Sequence, residues 1–142
     1  MSANSPMLRL PPRRLDQLKA LSAVLNLSLA DTVGHLVRKE IAAGTIPDTI
    51  PGIVVKRAGD KVVITVDDRA TASYGLETAR KLAVTIRAVV DVAPGEMNVM
   101  LNFGVIRRGG GMKLFFPLGG PETILSPDLA SDLANLIEKA AS

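Results

Sequence analysis

Apolar side chains recur along this chain in two rhythms. In the first, Leu15, Leu18 and Leu21, then Val24 and Leu25, return every three or four positions, with Arg14, Asp16, Gln17 and Lys19 between them. That spacing predicts an amphipathic helix. Asn26 tolerates the left-handed backbone that ends many helices. Ser28, with Asp31 after it, then has the form of a capping box opening a second helix. This second helix places Leu29, Val33, Leu36, Val37 and Ile41 on one side and closes at Gly44. Ahead of both, Met7-Leu8-Arg9-Leu10 runs into Pro11-Pro12, which marks a strand stopping and a helix starting. A strand this short cannot stand alone, but it can pair with its own copy about a two-fold axis. Side-chain alternation would turn Leu8 and Leu10 toward the helices. Met7 and Arg9 would face the other way, with Ser5 if the strand reaches it.

The second rhythm begins after Thr45–Gly52, whose two prolines and glycine predict a linker over residues 45–52. Sliding the chain by 51 positions sets residues 53–66 over 104–117 and 76–86 over 127–137 without a gap. Arg57 then falls on Arg108, Gly59 on Gly110, Leu82 on Leu133, Ala83 on Ala134 and Ile86 on Ile137. Lys56-Arg57 and Arg107-Arg108 become equivalent basic turns. Each copy, residues 53–91 and 104–142, predicts strand, glycine-containing turn, strand, polar loop and helix. Two copies predict a duplicated ββα-ββα domain over 53–142. Its simplest form is one four-stranded antiparallel sheet with both helices on one face, and a permuted ferredoxin-like order is the alternative. Met97–Phe103 is expected to extend the third strand backwards. The fold class is therefore α+β, with residues 1–44 forming a separate βαα segment.

Charge sharpens this division. Six cations face three anions up to Gly44, whereas the remainder balances eleven against eleven, so the whole net charge of +3 lies in the first segment. A basic bias in one segment points to a polyanionic partner. The chain has no cysteine, which excludes disulfides, thiolate metal sites and cysteine nucleophiles. Neither a signal-peptide pattern at the start nor an apolar run of membrane-spanning length is present, and a soluble, cytoplasmic protein is expected.

The run Leu8-Arg9-Leu10-Pro11-Pro12, then Leu15, Leu18 and Leu21, then Asn26-Leu27-Ser28 and a second amphipathic helix, resembles the ribbon-helix-helix DNA-binding domain of the Arc and MetJ type over residues 5–43. The resemblance implies a homodimer whose β-ribbon enters the major groove of double-stranded DNA, with Ser5, Met7 and Arg9 reading base edges. Arginine can hold guanine through O6 and N7, while methionine offers apolar contact only. The second helix would present amides at Ser28 and Leu29 to a phosphate, and Arg13 and Arg14 would meet the backbone. Two departures stand out: Asn26 replaces the family's usual glycine, and the reading face is sparse in polar groups.

No catalytic constellation is apparent, so no enzyme activity, metal or cofactor is expected. Adjacent Asp67-Asp68 reads as a solvated loop and Gly109-Gly110-Gly111 as a hairpin turn without the order of a phosphate-binding loop. His35 lies beside an apolar stripe as a packing or surface residue. Lys56, Arg57, Arg107 and Arg108 could add phosphate contacts, contact an acidic protein, or simply solvate the turn tips. The expected function is a sequence-specific transcriptional repressor of bacterial or plasmid origin, working on the nucleoid or plasmid. The alternatives are an accessory protein of plasmid partition or conjugation, and an antitoxin or adaptor whose C-terminal domain holds a protein; assembly beyond a dimer is compatible with each.

Overall fold

Pro12 opens the first helix and Asn26 closes it, as their backbone preferences dictate. In the computed structural model, which describes residues 7–142, α1 spans Pro12–Leu25 and α2 spans Leu29–Ala42. Asn26 takes φ 56° and ψ 45°. Its N–H reaches Ala23 O at 3.3 Å while Leu27 N–H reaches Ser22 O at 3.0 Å. The same paired bonds end α2, from Gly44 N–H to Ile41 O and from Thr45 N–H to Glu40 O, with Gly44 at φ 81°. Both ends are Schellman motifs, which satisfy carbonyls that the helix leaves open. The two helix axes turn by 85° across the break.

The chain divides into two compact units, Met1–Pro47 and Asp48–Ser142. This moves residues 48–52, five of the eight residues of the expected linker 45–52, into the second unit. Pro51 and Gly52, the latter at φ 82°, turn the chain so that Ile53 N–H bonds Ile50 O at 3.0 Å. Ile50 is thereby folded back and buried.

The second unit contains β1 (Ile53–Ala58), β2 (Lys61–Val66), β3 (Ala70–Gly75), α3 (Leu76–Asp91), β4 (Glu96–Asn98), β5 (Phe103–Arg108), β6 (Gly111–Phe115), β7 (Thr123–Leu125) and α4 (Pro127–Ala141). All strand pairs are antiparallel, in two sheets of order β1-β2-β3 and β4-β5-β6-β7. The expected single four-stranded sheet, and with it the ferredoxin-like alternative, is corrected. Each expected ββα copy carries a third strand before its helix. Ala72 and Tyr74 alternate inward between exposed Thr71 and Ser73, a strand pattern hidden by small, polar residues. Addition of β3 and β7 encloses β2 and β6, so neither hairpin can join the other through them.

Of Met97–Phe103, only Phe103 prolongs the third expected strand. Asn98 Oδ1 accepts the Leu101 N–H at 3.0 Å and Asn102 sits at φ 61°, which turns the chain and makes β4 a separate strand beside β5.

The register of the internal match is also corrected. Gly59 and Gly109 occupy the same hairpin position, at φ 64° and 59°, as a two-residue turn with glycine first requires. Val62, Ile64 and Val66 are buried in the first hairpin, and Met112, Leu114 and Phe116 in the second. The hairpins thus correspond at an offset of 50, not 51. The helices keep 51, with Ala79, Leu82, Ala83 and Ile86 matching Ala130, Leu133, Ala134 and Ile137, all fully buried. One extra residue in the β6–β7 connection absorbs the difference. Slippage by one would have turned every strand side chain to the opposite face.

Each sheet packs against α3 and α4, and the helices pack on one another. Alanines at 79, 83, 130 and 134 leave room for this approach, and residues of both sheets and both helices share one core. Each fully buried Leu or Ile there contributes about 1.5–3 kcal/mol relative to exposure.

Candidate nucleic-acid interface

Residues Met7–Leu10 adopt no regular secondary structure in the single chain. The strand expected there is therefore not seen: among the described residues no strand lies beside this segment to form a ladder with it. Ser5 lies outside the described residues. Met7 is 89% exposed and Leu8 80%. Leu8 and Leu10 nonetheless border the same groove as Leu18, Leu21, Val33 and Leu36, while Met7 and Arg9 do not. The alternation expected from the sequence is present in this limited sense. The groove encloses about 420 Å³.

That groove exists because the first unit hides almost nothing. Among its described residues no apolar side chain is buried; only Ser22 and Thr32 are. Leu15, Leu18, Leu21 and Leu25 are half-buried along the inner side of α1, whereas Val24, expected on that stripe, is 83% exposed. Its position on the helical wheel falls outside the arc covered by α2.

The hydroxyls of Ser22 and Thr32 were not singled out by the sequence pattern. They meet at 2.8 Å where α1 and α2 cross. Ser22 Oγ also lies 2.9 Å from Leu18 O, and Thr32 Oγ1 2.7 Å from Ser28 O. Two hydroxyl hydrogens thus serve three contacts. The signal that could have found them is a small polar residue on each apolar face.

Electrostatics add a second feature. The first turn of α1 carries Arg13 and Arg14, both exposed, and no acid. Cations at a helix N-terminus oppose the helix dipole, a cost of about 0.3–1 kcal/mol each at an exposed site. Arg14 Nη1 donates to Gln17 Oε1 at 2.8 Å and borders the groove. At the start of α2, Ser28 Oγ accepts the Asp31 N–H at 3.1 Å, the expected cap. One amide there is therefore already engaged, and the Asp31 carboxylate lies in the same turn as the free amide of Leu29. An anion at this position would meet both attraction and repulsion. His35 is exposed on α2.

The four turn cations lie in the other unit, and their expected equivalence is corrected by the register. Arg57 corresponds to Arg107, so Lys56 matches Ile106 and Arg108 matches Ala58. The two arginines do the same thing. Arg57 Nη1 donates to Ser142 O at 2.7 Å, at the end of α4. Arg107 Nη1 donates to Val90 O at 2.6 Å, at the end of α3. Each guanidinium caps the helix that follows the other hairpin, favourably placed against the negative helix end. Lys56 and Arg108 are exposed.

Among the described residues no cluster of metal-ligating side chains occurs, and no single helix is long and apolar enough to cross a membrane. Compared with models of protein families, with curated proteins and with solved structures, the chain matches none.

Proposed function

We propose that the first unit is one half of a ribbon-helix-helix dimer that binds double-stranded DNA, and that residues 53–142 are a duplicated unit appended to it. The observation that carries the DNA-binding reading is the open apolar groove. A helical hairpin with Leu18, Leu21, Val33 and Leu36 along an empty groove, and Leu8 beside it, is incomplete as a monomer. A second copy laid across the two-fold closes the groove and pairs the two Met7–Leu10 segments as a ribbon. Arg9 then stands on the outer face, and the arginines on the first turn of α1 gain phosphates in exchange for the unfavourable dipole. The location of the whole net charge in this segment supports the same polyanion.

On this reading the protein is a homodimeric repressor of its own upstream region. Fluorescence anisotropy with that DNA should give an affinity that falls steeply with salt. Arg9→Ala should cost about 1–3 kcal/mol at one base position. Arg13→Ala should weaken all sequences alike and flatten the salt slope by about one. Binding that is indifferent to salt and to Arg9 would overturn the proposal.

The match in element order, β1–β2–β3–α3 against β5–β6–β7–α4, and the matched arginine caps support the duplication.

A further inference from the structure

We propose that the outer edge of β1 takes up an extended, acidic peptide segment of a partner protein as an added strand. The inference concerns the second unit alone and does not depend on DNA binding by the first.

The backbone provides the first argument. The two-residue turn closes on the pair Ala58 and Lys61, which sets the hydrogen-bonded pairs of the hairpin at Ala58, Lys56 and Val54. The N–H and C=O groups of Ile53, Val55 and Arg57 therefore point away from β2. Ile53 confirms this phase, because its N–H is bonded to Ile50 O on that outer side. Among the described residues no backbone group meets Val55 or Arg57 there. Two donors and two acceptors are left in the repeat that an added strand requires. The chain itself supplies one residue of such a strand at Ile50 and then leaves the edge.

The second argument is the groove along that edge. It encloses about 400 Å³ between β1 and the last turns of α4, with Val54, Val55, Leu136 and Ala140 among its walls. Val54, on the face of β1 opposite to Ile53 and Val55, is 46% exposed. Alternate side chains of an entering strand would rest on Val55, Leu136 and Ala140.

Charge selects the occupant. Lys56, Arg57 and Lys139 line the groove against a single acid, Asp48. Arg57 is held at the end of α4, which leaves the two lysines for the ligand. A second copy of β1 is disfavoured, since antiparallel self-pairing about Val55 would crowd two such cationic grooves together. Carboxylates at alternate positions of a foreign strand would instead meet Lys56.

The test uses the full chain, labelled with nitrogen-15, and the unlabelled peptide Glu-Val-Glu-Val-Glu, with Lys-Val-Lys-Val-Lys as its counterpart. Titration followed by amide NMR should shift Val54 to Arg57 with the acidic peptide only. The double variant Lys56→Glu/Lys139→Glu should weaken it at least tenfold and bring in the lysine peptide. Val55→Pro removes one outward donor at an edge position that tolerates proline, and trims a side chain packed on the core, so it should abolish binding while the thermal melt stays cooperative at a lower midpoint. Absence of shifts, shifts centred elsewhere, or affinity unchanged by charge reversal would overturn the proposal. So would shifts of these amides on concentrating the protein alone, which would assign the edge to self-association.

Discussion

Leu8 is 80% exposed in the single chain, so replacing it with alanine removes little from the fold of one copy. In the proposed dimer the same side chain is covered by the facing protomer. Leucine exceeds alanine by three carbons, worth about 0.8 kcal/mol each when buried. Scaled by the exposed fraction, Leu8→Ala should cost about 2 kcal/mol per copy and about 4 kcal/mol per dimer. That is roughly a 500- to 1000-fold rise in the dimer Kd. Sedimentation equilibrium over a dilution series measures it directly. Val24→Ala is the control, because Val24 is 83% exposed but does not border the groove. It should leave the Kd within about twofold, in keeping with the small effect of surface substitutions. If both variants dimerise like the parent, the groove is not the dimer seam. If Val24→Ala is the damaging one, the opposite side of α1 is the interface and the ribbon arrangement is wrong.

Further outcomes follow from other parts of the molecule. In a double-mutant cycle on Ser22→Ala and Thr32→Val, thermal melts of the first unit should show a coupling of about 0.5–1.5 kcal/mol, and strict additivity would deny the buried hydroxyl pair. Arg57→Ala and Arg107→Ala should each cost about 0.3–1 kcal/mol in urea denaturation and to similar extents, since each caps one helix end; a loss at one site only would break their equivalence. Burial holds the Tyr74 phenol well above the ordinary tyrosine range, and its O–H donates to Asn102 O at 2.7 Å. A pKa raised on folding gives stability that is complete below the unfolded value near pH 10 and is lost as pH rises through the folded value. Tyr74 is the sole tyrosine and tryptophan is absent, so the ultraviolet absorbance of tyrosinate should appear only well above pH 10. Ionisation near pH 10 without unfolding would contradict its burial.

Local chemistry was legible from the sequence alone. Asn26, Ser28 with Asp31, and Gly44 act through their own backbones, so their roles at helix ends could be named before any packing was known. Leu82, Ala83, Ile86, Leu133, Ala134 and Ile137 were legible through the internal repeat, which pairs them at one offset. What stayed hidden depends on contacts distant along the chain. β3 is written in Ala, Thr and Ser, which become a strand only when β2 offers its second edge. The extra residue in the β6–β7 connection could not be placed, because identities such as Arg57 over Arg108 favoured an ungapped match. Only the buried face tells the two registers apart. The basic turns illustrate the same limit at the candidate site: a cation next to a glycine turn has no visible destination until the end of α3 or α4 arrives beside it.

The crossed arginine caps bear on how the second unit can come into being. β1 lies on α4 and β5 lies on α3, so the first strand of each half is seated on the helix made by the other. Neither half owns a complete interior, and the first cannot finish until synthesis has reached the last turn of α4. Two separately made pieces, divided between Val92 and Gly95, should therefore remain unfolded apart and regain structure on mixing. In a nascent chain, β1 and its unfilled edge must wait for the C-terminal helix, which makes this unit all-or-none.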